Sequence, residues 1–461
     1  MTAPLPLRTW PASRSTTVSD RLSVVAVSCS GNHFFGIKIM SARDNVLSTV
    51  TPTPVAAQGG GYAWLVWILA TLFVVWLFNV QTGYAILNAH VQADIGLRLD
   101  QVGLIAAVYT WVFAIAQLFS GALLDRLGSR KVLLPAMLLV GLGVFLFATA
   151  HSFEMLLLSQ VVLALGSCAG FVGAGYVGGV WFGMAKFGVM FGLVQLVAAL
   201  SSAFGAAGFN AALSVMTWRE LMFGFGGFGV LLLLASLIFM RNPVAPDTRG
   251  LTAGRFLSDV IGSMAEVLKN RQVLLISVAG AITFGVMLAL GVVWMPKLIM
   301  AHGVSESDAN IANPCLWLGL AAGSPLINKW SDAIKARKSP VIITSLIQLA
   351  ALLAIIYLPM TGILAMALCF IVGFANAGHM LAFTIAGDNV PPRLIGTSAS
   401  VVNGAMFIVG GVLMNLPGRF LEGTAGDLPA FQHAMLSMPA LLVVSCAVSL
   451  IVKESHPAHQ R

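Results

Sequence analysis

Charge is what this 461-residue chain has least of: Asp, Glu, Lys and Arg make up 9% of it, against 58% hydrophobic residues. Soluble domains carry roughly 25% charged residues, so a soluble enzyme, a nucleic-acid binder and a secreted disulfide module are excluded. Cysteine is scarce and unpaired in pattern. Cys29, Cys168, Cys315, Cys369 and Cys446 form no CxxC, and the last four lie in apolar stretches, where a thiol behaves as a small hydrophobe. No metal site and no cofactor are expected. A phosphate loop ending in GKS or GKT is missing, which argues against ATP-driven transport by this chain alone. The alternating apolar–polar runs of a membrane β-barrel are missing too.

Long continuous apolar runs are what is there, and in lipid such runs must be helices, because only helices satisfy their own backbone. A bilayer core needs roughly 20 apolar residues per helix. Twelve such segments follow Gly61. They predict an all-α membrane protein of twelve transmembrane helices in two six-helix bundles around a central cavity. The boundaries expected are a polar tail at 1–60, an N-terminal bundle at 61–240, a cytoplasmic linker at 241–271, a C-terminal bundle at 272–453 and a short tail at 454–461. Asn242-Pro243 ends the sixth helix. From Phe256 to Leu268 the apolar residues recur at helical spacing, as in an amphipathic helix lying on a membrane surface. Three readings of the first 60 residues stay open: a disordered cytoplasmic tail, translation that truly starts at Met40 rather than Met1, and a basic, Ser-rich transit peptide.

The net charge of +8 invites a nucleic-acid reading until the basic residues are placed. Of the 25 Lys and Arg, 21 fall in connections on one side and 4 on the other. The positive-inside rule then puts both termini in the cytoplasm. The partners expected are the lipid bilayer and a small-molecule substrate, with no nucleic acid, for a monomer in a bacterial inner membrane.

One loop carries more than orientation. Between segments 2 and 3 the chain reads Gly121-Ala-Leu-Leu-Asp125-Arg126-Leu-Gly128-Ser-Arg130-Lys131. Gly128 can take positive φ and reverse the chain. Asp125, at the helix exit, can pair with a base or cap a neighbouring helix N-terminus. Arg130 and Lys131 suit anionic lipid and ion pairs. After segment 8 the pattern returns: Asp332, Arg337 and Lys338 follow Asp125, Arg130 and Lys131 at a constant offset of 207 residues. In this second copy Ala333 replaces the Arg, and no glycine is present for the turn. An internal repeat in a twelve-span chain points to a transporter of two related bundles.

This block resembles the signature loop of the major facilitator superfamily, and the resemblance covers about 62–453. It implies a cavity between the halves, opened alternately to each side and lined by segments 1, 4, 7 and 10. It also implies that Gly121, Asp125, Arg126, Gly128, Arg130 and Lys131, with Asp332, Arg337 and Lys338, form a conformational switch in which Asp125 stabilises the outward-facing state. Drug–proton antiporters of this superfamily carry an Arg in segment 4 and a Gly-Pro pair in segment 5. Here Gln160 stands at the first place, and segment 5 has no proline. The Gly166 to Gly175 run, Trp181-Phe182 and Gly192 to Gln195 look like a bacterial nutrient-uptake branch.

No acidic, Lys or Arg residue sits in mid-span, and buried carboxylates mark many proton relays. Their absence argues against a strongly charged substrate. His379 is the titratable group deepest in a span. It can bind substrate or couple a proton, or it can simply bond a neighbouring helix. Asn376, three residues earlier, shares its face. Asn79, Gln81, Gln195, Thr283 and Asn403 are further polar candidates for substrate contact or for helix–helix bonds. Tyr84 and Trp317 can stack on a ring or pack blandly. The function expected is secondary active transport of a small neutral or zwitterionic solute, of amino-acid or nucleoside type, with the proton as candidate coupling ion. The alternative is an exporter of drugs or metabolites. An intramembrane enzyme lacks a nucleophile beside its histidine, and a scaffold that has lost transport sits poorly with the intact loop.

Overall fold

The computed structural model describes residues 59–243, 253–421 and 427–459. The expectations for residues 1–58, including the choice of start codon, and for 244–252 and 460–461 lie outside the described residues. All regular elements among the described residues are helical. The first half comprises α1 (Gly61–Ile95), α2 (Leu99–Ala148), α3 (Phe153–Ser167), α4 (Gly170–Phe182), α5 (Phe187–Leu213) and α6 (Trp218–Phe239). A connecting helix, α7 (Ala253–Lys269), leads to the second half. There follow α8 (Arg271–Ala289), α9 (Met295–Ala301), α10 (Glu306–Ala333), α11 (Lys338–Tyr357), α12 (Gly362–Asn376), α13 (Met380–Asp388), α14 (Ile395–Leu421), α15 (Leu428–Met435) and α16 (Ser437–Ile451).

Ten of the described stretches are long and apolar enough to cross a membrane, against twelve segments in the sequence. Two local causes account for the difference. The second and third segments run together as α2, broken at Gly128, whose φ of 76° no helix contains. The eighth segment, α10, carries Glu306, Asp308, Asn310 and Asn313 in its first turns and Asn328, Lys329 and Asp332 in its last, so its composition falls short although it packs on α5 and α12. With α2 counted twice and α10 included, the count is twelve.

Four spans are composite, the twelfth being α15 followed by α16. The fourth is α3 followed by α4. The seventh joins α8 to α9 through a π turn at Leu290–Trp294. Pro296 follows that turn, and its missing N–H cannot continue the helical ladder. The tenth joins α12 to α13 through a 3-10 turn at Ala377–His379. Small residues allow close packing where spans meet. The α4 glycines lie against Leu133 of α2 and Phe191 of α5, within their own bundle. The amphipathic helix foreseen at Phe256 to Leu268 is α7, with Leu257, Ile261 and Leu268 exposed.

Candidate functional site

The bundles touch where α2 reaches Gly128 and α14 begins. A helix start leaves backbone N–H groups without partners and carries a partial positive charge. Asp125 supplies both needs of α14. Its Oδ1 accepts from Gly396 N at 2.8 Å, and its Oδ2 accepts from Thr397 N and Thr397 Oγ1 at 2.7 Å each. One turn earlier a methyl at Gly121 would collide with the Gly396 carbonyl oxygen, so this approach requires glycine. Ser400 Oγ donates to Leu118 O at 3.0 Å and continues the seam.

The rest of the loop is spent inside its own half and on α7. Arg126 pairs with Asp259 of α7 at 3.4 Å. Arg130 donates to Met240 O at 2.7 Å and Leu237 O at 2.9 Å, closing the C-terminus of α6. Asn242 Oδ1 accepts from Ser129 Oγ at 2.9 Å and Arg130 N at 3.0 Å, so it caps the helix that restarts after Gly128.

The second copy keeps this plan with different residues. Lys335, 207 positions after Gly128, is the one non-glycine with positive φ among the described residues, at 53°. The turn is therefore present without glycine, which corrects the expectation drawn from the sequence. Lys338 Nζ donates to Leu450 O at 2.7 Å and closes the end of α16. Glu454 accepts from Arg337 N at 2.8 Å and Lys338 N at 3.1 Å and caps α11. Asn242 and Glu454 each stand three residues past the last helix of their half. Burial alone lifts the Glu454 carboxyl, but backbone N–H donors from Arg337, His456, Lys338 and Ser455 outweigh it and hold it below its ordinary value.

Asp332 breaks the parallel. It accepts from Arg337 of its own loop instead of reaching the other bundle. Arg337 also contacts Asp388 at 3.4 Å and Ser331 Oγ at 3.1 Å. The matching seam, between α5 and α10, is made by a small residue: a methyl on Gly192 would stand 2.6 Å from Ser324 O.

Midway along the spans, aromatic rings from both halves form a chain. Phe78 of α1 lies 6.4 Å from Phe171 of α4, which lies 6.0 Å from Phe383 of α13. Phe383 also meets Phe191 of α5 at 4.5 Å and His379 at 6.5 Å. His379 packs on Phe284 of α8 at 4.8 Å, Phe284 on Phe407 of α14 at 5.9 Å, and Phe407 on Phe113 of α2 at 4.8 Å. His379 Nδ1 lies 2.7 Å from Asn376 O. A carbonyl only accepts, so the proton sits on Nδ1 and Nε2 is left as an acceptor.

The candidates named from sequence do not all converge: Thr283, Asn376 and His379 meet around one small cavity, and the others lie apart from it. Asn79 donates to Val75 O at 2.8 Å and to Ser201 Oγ of α5, a tie within the first bundle. Tyr84 donates to Val102 O at 3.1 Å and meets Phe147 edge-on. Gln81 is half-buried on α1, and Gln195 is buried on α5. Thr283 lends its carbonyl to Asn376 Nδ2 at 2.6 Å. Trp317 packs against Gly291. Asn403 is buried with its Nδ2 unpartnered. Thus Asn79, Tyr84 and Asn376 bond within their own bundles, while His379 stands in the aromatic chain between them. Sequence marks Asn242 only as the end of the sixth helix and gives Glu454 no role; their equal distance from the ends of segments 6 and 12 is the available signal of the shared cap. The ring series had no signal, because phenylalanine is common throughout the apolar runs.

Two repeated helical bundles, joined at one end by a carboxylate from one into a helix start of the other, define a two-bundle membrane transporter. The family model of the Major Facilitator Superfamily matches residues 67–414, and the chain belongs to that family. It is 21% identical over 423 residues to the probable galactarate/D-glucarate transporter GudP of Escherichia coli K12, covering 82% of this chain and 92% of that protein. It is 30% identical over 164 residues to the quinolone resistance protein NorA of Staphylococcus aureus, covering 34% of this chain and 40% of NorA. Among solved structures, the Escherichia coli fucose:proton symporter FucP aligns with a TM-score of 0.66 at 16% identity, covering 86% of this chain and 100% of FucP. A bacterial homologue of the human lysosomal transporter Spinster, inward-facing and unoccupied, aligns with a TM-score of 0.59 at 18% identity, covering 86% and 97%.

Proposed function

We propose that the chain is a secondary active transporter of a small neutral or zwitterionic organic solute, of amino-acid or nucleoside type, working by alternating access. The observation that carries this reading is the middle of the spans. It offers aromatic faces and the Nε2 acceptor of His379, while all seventeen acidic residues and every Lys and Arg lie at span ends, loops or tails. Galactarate and D-glucarate are dianions, and a dianion there would lack the paired cation that burial of charge demands. FucP, named for a neutral sugar, supports the neutral class. Export of ring-bearing drugs is the second reading, favoured by the NorA match and by the same aromatic faces.

The proton is the coupling ion of this reading, with His379 as its carrier. The protein acts as a monomer in a bacterial inner membrane with both termini in the cytoplasm, so the Asp125 seam is the cytoplasmic gate. A thermal-shift screen of the purified protein against amino acids, nucleosides, sugars, phosphate esters and lipophilic cations tests the class, because a ligand of the folded state raises apparent stability. Stabilisation by an amino acid or nucleoside is expected. Stabilisation by lipophilic cations alone moves the protein to the exporter reading.

A further inference from the structure

Between α8, α11 and the α12–α13 break lies a small cavity of about 10 Å³, room for one water-sized particle. Its lining includes Thr283, Thr344, Ser345, Gln348, Asn376 and His379. Two carboxamides enter it with fixed orientation. Gln348 Nε2 and Asn376 Nδ2 both donate to the Thr283 carbonyl, at 3.0 and 2.6 Å. That carbonyl can only accept, so both NH2 groups face it and both amide oxygens turn away. Gln348 Oε1 and Asn376 Oδ1 are then buried without a partner, in residues that are wholly inaccessible. An unpaired buried acceptor costs about 1–3 kcal/mol, and two of them share one cavity.

The other groups add acceptors and no free amide or imidazole donor. Thr344 Oγ1 donates to Pro340 O at 2.8 Å and Val341 O at 3.1 Å, which leaves its lone pairs open. The Nδ1 proton of His379 is committed to Asn376 O. A water's two protons match the two unpaired amide oxygens and leave the lone pairs of Thr344 and Ser345 unused. A small cation satisfies all of these oxygens at once. Neutral oxygens without a carboxylate are a poor site for Ca²⁺ or Mg²⁺, which leaves a monovalent ion. The span wall is also interrupted here by the 3-10 turn at Ala377–His379, and interrupted helices are where transporters hold coupling ions with neutral oxygens.

We infer that this cavity inside the second bundle is a sodium site, formed by Gln348 Oε1, Asn376 Oδ1 and the hydroxyls of Thr344 and Ser345. It is a property of the α8–α11–α12 packing and does not depend on which solute is carried. The test uses the purified full-length protein in detergent, with sodium chloride titrated against potassium chloride and choline chloride at constant ionic strength, and with radioactive sodium for direct binding. Sodium is expected to raise the midpoint of thermal unfolding saturably, at concentrations at least tenfold below those at which the other salts act. The isosteric change Thr344→Val and the small change Ser345→Ala are each expected to weaken sodium binding at least tenfold while leaving the sodium-free midpoint near wild type. An equal response to all three salts, or unaltered sodium binding in both variants, overturns the site and leaves a buried water in its place. Neither result bears on the solute screen, which is run in choline chloride.

Discussion

The two halves fold the same loop twice and use it differently. Gly128 and Lys335 reverse the chain at equivalent places with positive φ. Asn242 and Glu454 cap the helices that follow. Arg130 and Lys338 each close the last helix of their half. The carboxylates diverge, and the arginines with them: Asp125 crosses into the start of α14 while Arg130 closes α6, whereas Asp332 stays with Arg337 of its own loop. The shared features are therefore the scaffold of a helix turn, and the divergent carboxylate is the latch. One seam is held by a charge on a helix start, the other by glycine against backbone.

The comparison can be broken most strongly at the glycine seams. Gly121→Ala places a methyl into the Gly396 carbonyl, so transport in proteoliposomes should fall at least about tenfold, equivalent to 1.4 kcal/mol in the switching equilibrium. Gly192→Ala should act in the same direction but less, because its clash is shallower. Wild-type rates in Gly121→Ala would mean that the seam does not need to close. Next comes Asp125→Asn. It removes the charge but keeps one acceptor oxygen for the α14 start, and should cut transport without preventing membrane insertion, whereas Asp332→Asn should leave most activity. Equal losses from the two would erase the distinction between latch and scaffold.

The caps sharpen the scaffold side. Glu454→Gln and Asn242→Ala should each cost about 1 kcal/mol of stability, read as a lower unfolding midpoint. The two differ in pH response. The folded carboxyl of Glu454 lies below its ordinary 4.5, so its contribution is fully present above that value and is lost as the pH falls through the folded one. Wild type should lose its margin over Glu454→Gln on acidification, and Asn242→Ala should show no such convergence. The smallest effect is at Lys335. A left-handed non-glycine residue costs roughly 1–2 kcal/mol, so Lys335→Gly should be neutral or stabilising by up to about 1 kcal/mol, and a lower midpoint there would show that the Lys335 side chain contributes contacts of its own.

Most of the architecture was legible in the sequence because membrane spans are long one-dimensional signals. The twelve segments, the two halves, the connecting helix and the repeat at offset 207 all follow from apolar runs and charged loops. The turn in the second copy is not legible there, because glycine is the usual sign of positive φ and Lys335 adopts it as a non-glycine. The destination of Asp125 was open between a base and a helix start, since sequence carries no information on which distant helix begins nearby. The polar candidates show the same limit. Asn79 and Asn376 look alike as isolated amides in apolar runs, and only packing shows that one bonds Ser201 and the other the Thr283 carbonyl.

The latch itself is tested most directly by the distance between the bundles at the signature-loop end. Spin labels at the exposed positions Lys131 and Lys453, on a background without native cysteines, report that distance in membranes. In wild type a short, narrow population is expected, shifting to longer distances in Asp125→Asn and remaining in place in Asp332→Asn. A distribution unchanged by Asp125→Asn, or moved equally by both substitutions, contradicts the account.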